Sequence, residues 1–135
     1  MKTMGLSRLY LVNPKHFPDG QANSLAVNAT DVLDNAIVTK NLEEAIADCQ
    51  FVIGVSGKER SLSQQILTVR EAALEVHKIA HEQEVALVFG TEMSGLSNAE
   101  ADRCQVLATI PANPTYTSLN LAQAVQIMCY EIRMA

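Results

Sequence analysis

Three short apolar runs most limit what this chain can fold into. QFVIGVS (Gln50 to Ser56), EVALVFG (Glu84 to Gly90) and QVLATIP (Gln105 to Pro111) are each the length of a strand. A continuous apolar run, without polar alternation, is the pattern of a strand covered on both faces. RLYLV (Arg8 to Val12), closed by Asn13-Pro14, and AIV (Ala36 to Val38) add two shorter extended pieces.

Helical patterns alternate with these runs. Residues from about Gln21 to Ala29 are small and apolar at helical spacing. LEEAIADC (Leu42 to Cys49) follows Asn41, an N-cap candidate, and carries glutamates in its first turn. Thr68 to Gln83 places Val69, Ala72, Ala73, Val76, Ile79 and Ala80 on one stripe. A short helix is expected from about Ser97 to Arg103. A last one, from about Ser118 to Arg133, has Leu121, Val125, Met128 and Ile132 in line, with Ala122 and Cys129 beside them. Strand and helix in alternation predict an α/β fold, a parallel sheet with helices on both faces. The 135 residues suffice for one such domain, and 48% of them are hydrophobic, which excludes a disordered chain.

No apolar run is long enough to span a bilayer and no signal-peptide pattern opens the sequence, so the cytoplasm is the expected compartment. Cys49, Cys104 and Cys129 are odd in number and form no CxxC pair. They are read as buried thiols, not as a disulfide framework or a zinc site. His77 and His81 stand four apart on one predicted helix without a third ligand, and no metal site is expected. The net charge of −5 argues against a general nucleic-acid binder. It leaves room for a local basic patch among Lys2, Arg8, Lys15, Lys58 and Arg60, with a solvated surface as the simpler reading.

In parallel α/β sheets, ligands bind beyond the carboxyl ends of the strands. Here three such ends are followed by GVSGKERS, FGTEMSGLSN and PANPTYTSLN. Gly54, Gly57, Gly90 and Gly95 either make turns or let the backbone approach a ligand. No GxGxxG follows a strand and no P-loop motif is present, so a bound nucleotide-like ligand would lack the usual phosphate cradle. Glu92 is either a surface carboxylate or an orienting acceptor. Ser118 and Asn120 either cap the last helix or line a site.

FGTEMSGLSNAE and IPANPTYTSLNLAQAVQIMCYEIRMA resemble the second and third motifs of the SPOUT class of RNA methyltransferases. The patterns FG.E..GL and N-P-.-Y-.-SLNLA carry the likeness, which runs over essentially the whole chain. MKTMGLSRLYLVNP is most similar to the TrmJ-type tRNA 2′-O-methyltransferases, which act on a cytidine or uridine at the start of the anticodon loop. The resemblance implies a C-terminal trefoil knot that holds S-adenosylmethionine through backbone groups. By position, the cofactor contacts would be Val55, Ser56, Gly57, Gly90, Ile110, Thr117, Ser118 and Leu119. Asn113 and Pro114 would shape the knot loop. Glu92, Ser118 and Asn120 would line the pocket that receives the ribose. It also implies a homodimer through the knot region, with tRNA as partner, no metal and no membrane.

Family members begin with a strand and a helix carrying N.G....R, whereas this sequence starts at MKTMGLS. The expectation is a SPOUT domain over residues 1–135, N-terminally truncated, without the family's catalytic arginine and its asparagine. Arg8 falls after Gly5 and does not replace that arginine. Two readings therefore stand beside the tRNA enzyme. One is an enzyme of the same class acting on ribosomal RNA; the other is a module that binds S-adenosylmethionine or RNA without catalysis.

Overall fold

The computed structural model describes residues 1, 4–14, 26–55, 65–91, 95–111 and 120–135, the side chain of Val27 excepted. They fall into two compact units, Met1–Ala47 and Asp48–Ala135.

In the first unit, β1 (Tyr10–Val12) pairs in parallel with β2 (Ile37–Thr39), Tyr10 opposite Ile37 and Val12 opposite Thr39. Asn13 ends β1 in the left-handed region at φ 49°, a conformation asparagine tolerates, and its N–H donates to Thr39 O at 2.8 Å. The helical segment expected up to Ala29 runs further. A 3₁₀ turn (Val27–Ala29) passes into α1 (Thr30–Asp34). Asn41 caps α2 (Leu42–Ala45) as its residue type predicts: its side chain accepts the Glu44 N–H at 2.9 Å. This helix is one turn long and stops well before Cys49, with Ile46 already outside helical geometry.

The second unit holds β3 (Phe51–Val55), β4 (Gln65–Thr68), α3 (Val69–Ile79), β5 (Val85–Phe89), α4 (Asn98–Asp102), β6 (Val106–Thr109) and α5 (Leu121–Met134). Its four strands are all parallel, in the order β4-β6-β3-β5. Ile53, Gly54 and Val55 of β3 stand opposite Val106, Leu107 and Ala108 of β6, and opposite Leu87, Val88 and Phe89 of β5.

Alternation along the strands separates the two faces. Ile53, Val55, Val106 and Ala108 point to one face. There they form a single buried cluster with Val69, Ala72, Ala73 and Val76 of α3 and Met128 of α5. Gly54 and Leu107 point to the other face, where the nearest atoms belong to Leu96 and Cys104, residues flanking α4. The sheet is therefore packed on both faces, by α3 and α5 on one and by residues flanking α4 on the other. An ion pair from Arg70 Nε to Glu131 Oε2, 3.1 Å, ties α3 to α5 across the first layer.

β4 was not expected, and it joins the sheet beyond β6. It runs into α3 without a connecting loop. Thr68 is both its last residue and the helix N-cap, accepting the Glu71 N–H at 3.2 Å while Glu71 accepts the Thr68 N–H at 2.9 Å. The Thr68 N–H, with the Thr68 hydroxyl adding, holds the Glu71 carboxyl below its ordinary pKa. α3 ends at Ile79, short of the Gln83 its pattern suggested. β5 is an edge strand among the described residues; Val85, Leu87 and Phe89 pack against the core cluster, and each of its residues is half-buried.

At the amino-terminal end of the sheet, two glutamines extend the ladders with their side chains. Gln105 donates its N–H to Val52 O at 2.9 Å and accepts the Val52 N–H on Oε1 at 2.6 Å. Gln50 does the same to Glu84, donating to its carbonyl at 3.0 Å and accepting its N–H on Oε1 at 2.8 Å.

Candidate functional site

The register brings three strand ends to one edge. Val55 lies level with Phe89 on one side and Ala108 on the other, so Gly90 and Thr109 lie one step beyond it and Ile110 two. Val55 is buried and Gly90 and Ile110 are half-buried. Of the residues the sequence assigned to a site, Val55, Gly90, Ile110 and Asn120 are described. The structure brings the first three together on this edge. Ser56, Gly57, Glu92, Thr117, Ser118 and Leu119 lie outside the described residues, as do Asn113, Pro114 and the rest of the segment expected to form the knot. Of the basic residues singled out, Arg8 is exposed in the first unit, and Lys2, Lys15, Lys58 and Arg60 are likewise outside.

Gly90 and Gly95 prove to be glycines for separate reasons. A Cβ on Gly90 would run into the carbonyl group of Gly95 and the N of Leu96. Gly95 has open space around it but takes φ +65°, a conformation that costs an L side chain strain. Thr91 and Gly95 exchange both backbone hydrogen bonds, at 3.3 and 3.0 Å, and so close the loop that contains Glu92. Past it, Ser97 and Glu100 form a reciprocal cap at the start of α4: Glu100 N–H to Ser97 Oγ at 3.1 Å, Ser97 N–H to Glu100 Oε1 at 2.8 Å. Sequence reading placed this helix within a residue but did not see its cap, which the S-x-x-E spacing would have revealed.

Asn120 is the N-cap of α5. Its Oδ1 accepts the N–H groups of Ala122 at 2.8 Å and Gln123 at 3.4 Å. The oxygen is thereby committed to the helix, and only the Nδ2 hydrogens are left to act on anything else. α5 accordingly begins at Leu121, later than the expected Ser118.

The thiols divide. Cys104 is buried and donates to Glu100 O at 3.5 Å; burial, with the Glu100 carboxylate adding, pushes its pKa from 9.0 up to about 11. Cys129 is buried and shifted upward for the same first reason. Cys49 is half-buried rather than in the core. A protonated thiol is a poor nucleophile, so neither buried cysteine is equipped for covalent chemistry. His77 and His81 meet edge to face at 5.5 Å. Among the described residues, no group of three or more His, Cys, Asp or Glu is placed to hold a metal. No described helix is long and apolar enough to cross a membrane.

A cavity of about 160 Å³ lies in the first unit, against Arg8, Tyr10, Asp31, Asn35 and Ile37. Cofactor pockets usually enclose about 300–1,000 Å³. None of the residues assigned to the cofactor or the ribose lines it, so the candidate site is the strand-end edge.

Residues 1–130 match the SpoU rRNA Methylase family. The chain belongs to that family. This SpoU methylase chain is 50% identical over all 135 residues to the tRNA (cytidine/uridine-2′-O-)-methyltransferase TrmJ of Sodalis glossinidius, covering 53% of that protein. It superposes on the crystal structure of TrmJ from Z. mobilis ZM4 with a TM-score of 0.92 and 34% identity, over 98% of this chain and 59% of that one. An AdoMet-bound rRNA methyltransferase from Sinorhizobium meliloti matches with a TM-score of 0.72 and 26% identity, over 98% of this chain and 47% of the other. The SpoU methylase chain thus spans about half the length of the curated relatives it matches. The α/β fold and the SPOUT-class resemblance read from the motifs are both borne out.

Proposed function

We propose that this chain is the cofactor-binding part of an S-adenosylmethionine-dependent tRNA ribose 2′-O-methyltransferase of TrmJ type. The observation that carries the proposal is 50% identity to such an enzyme over the 135 residues of this chain, with Val55, Gly90 and Ile110 gathered on one sheet edge.

The chemistry of that edge fits the cofactor. Val55, Gly90 and Ile110 offer apolar surface and backbone groups and no charge, which suits an adenine with donors and acceptors on its rim. Backbone of Val55, Ser56, Gly57, Gly90, Ile110, Thr117, Ser118 and Leu119 would hold the adenosyl and methionyl parts. When bound, S-adenosylmethionine supplies a methyl carbon made electrophilic by its sulfonium. The chain's task is to hold the ribose 2′-oxygen in line with that carbon and to help remove the hydroxyl proton. Asn120 contributes to orientation: with Oδ1 fixed by α5, its Nδ2 donates to the hydroxyl oxygen. Ser118 and Glu92 are assigned to the same pocket, Glu92 as an acceptor.

The substrate is assigned as tRNA, with a homodimer supplying the groove and the cytoplasm as the compartment. A chain of net charge −5 needs such a local arrangement, because phosphate contacts dominate RNA affinity. A ribosomal RNA substrate is the second reading, favoured by the family's description as rRNA methylases.

Calorimetric titration of the folded chain with S-adenosylmethionine tests the cofactor assignment. Saturable binding is expected, and a folded chain that binds neither it nor S-adenosylhomocysteine would sink the assignment. Methyl transfer by the full-length protein to tRNA, but not to ribosomal RNA, separates the two substrates.

A further inference from the structure

The loop after β5 is latched at its base in three ways. Thr91 and Gly95 exchange two backbone hydrogen bonds. Gly95 packs backbone to backbone against Gly90, with no room for a side chain between them. Leu96, next in sequence, is 2% exposed and seated beside the Cβ position of Gly54. The latch therefore runs from the end of β5 into the core of the α4 face.

We infer that Gly95 is a positioning residue: its left-handed conformation clamps Gly90 and Thr91 at the strand end where the cofactor would sit. The inference rests on the reading of that edge as the S-adenosylmethionine site. The two glycines supply different things, space at Gly90 and conformation at Gly95. A Cβ at Gly95 meets nothing within 4 Å, so the first side-chain carbon adds no clash. The cost set by the backbone is the φ of +65°, which asparagine tolerates well, alanine poorly and a β-branched residue worst. A strained variant relieves itself by opening the latch, and the cofactor must then close it again. Its apparent affinity falls by the fraction of chains left latched.

The test is a series at one position, Gly95→Asn, Gly95→Ala and Gly95→Val, each titrated calorimetrically with S-adenosylmethionine and melted without it. Gly95→Asn is expected to bind within roughly threefold of the unsubstituted chain, and Gly95→Val about 5- to 30-fold more weakly, with Gly95→Ala between them. Gln105→Ala, which removes a hydrogen bond at the opposite end of the sheet, serves as the destabilised control. It should lower the melting temperature and leave the dissociation constant unchanged. Equal affinity across the folded series would overturn the inference. So would an affinity loss for Gly95→Asn as large as for Gly95→Val, or one that merely tracks melting temperature in all variants, Gln105→Ala included. If the unsubstituted folded chain binds no cofactor, the reading of the site fails first, as a flat series instead of a graded one.

Discussion

The side-chain oxygen of Gln105 accepts the backbone N–H of Val52 at 2.6 Å, while the Gln105 N–H donates to the Val52 carbonyl. A side-chain amide thus stands in for one more residue of strand pairing between β3 and β6. Val52 is 3% exposed, so its N–H has no ready replacement partner in water. Gln105→Ala is expected to destabilise the chain by about 1–3 kcal/mol, the cost of an unpaired buried donor. Gln105→Glu, which keeps an acceptor, should lose less. Urea unfolding of the three chains measures both.

Asn120 allows helix capping to be separated from chemistry. Asn120→Ala loses the bonds to Ala122 and Gln123 and should cost about 1 kcal/mol. Asn120→Asp keeps an accepting oxygen at the helix start and should retain that stability. It removes the Nδ2 donors, so methyl transfer by the full-length protein should drop at least tenfold if they serve the ribose. An active, stable Asn120→Asp protein would reduce the residue to a cap.

Gly54 faces a filled space. A Cβ there would lie 2.8 Å from Cys104 Sγ and 3.0 Å from side-chain carbons of Leu107 and Leu96. Gly54→Ala should destabilise by about 1–3 kcal/mol through overpacking. Adding Cys104→Ala removes the nearest of the three atoms. The double variant should be more stable than the sum of the two single effects, by about 0.5 kcal/mol or more. Strict additivity in a double-mutant cycle would show that the strain is released elsewhere.

The Cys104 thiol links stability to pH. Its pKa is raised from 9.0 to about 11 in the folded chain, so the folded state keeps the proton that the unfolded state releases. The contribution is complete below about pH 9 and is lost as pH rises toward 11. Denaturation midpoints should fall more steeply over that interval in the natural chain than in Cys104→Ala. A smaller slope due to Cys129 should persist. At pH 7.5, thiol reagents should modify the half-buried Cys49 before either of the others.

Much of the architecture was legible because its signals are local. Asn41 was recognised as a cap from residue type and position. The buried stripe of α3, Val69, Ala72, Ala73 and Val76, followed from its spacing. β4 escaped because QILT is short and meets a helix with no turn residue between, so its apolar pair Ile66 and Leu67 gives no period of its own. The exposure of β5 escaped for a different reason: VALVF reads the same whether one neighbour or two lie beside it, and strand order is not written in the strand. At the site, Gly90 and Gly95 were legible as glycines that mattered. That one answers a backbone contact and the other a torsion angle required three-dimensional coordinates. Asn120 was left open between cap and site, and the two bonds to its Oδ1 establish the cap without removing the site.

The junction at Thr68 has a consequence for how this chain can vary. With no loop between β4 and α3, the rotational phase of the helix is written by the register of the strand. One inserted residue there would turn α3 by about 100°. It would carry Val69, Ala73 and Val76 off the sheet and swing the carboxylates of Glu71 and Glu75 toward it. Length changes should therefore be purged at this joint. Length polymorphism along the gene is then a map of which connections transmit geometry and which merely span it.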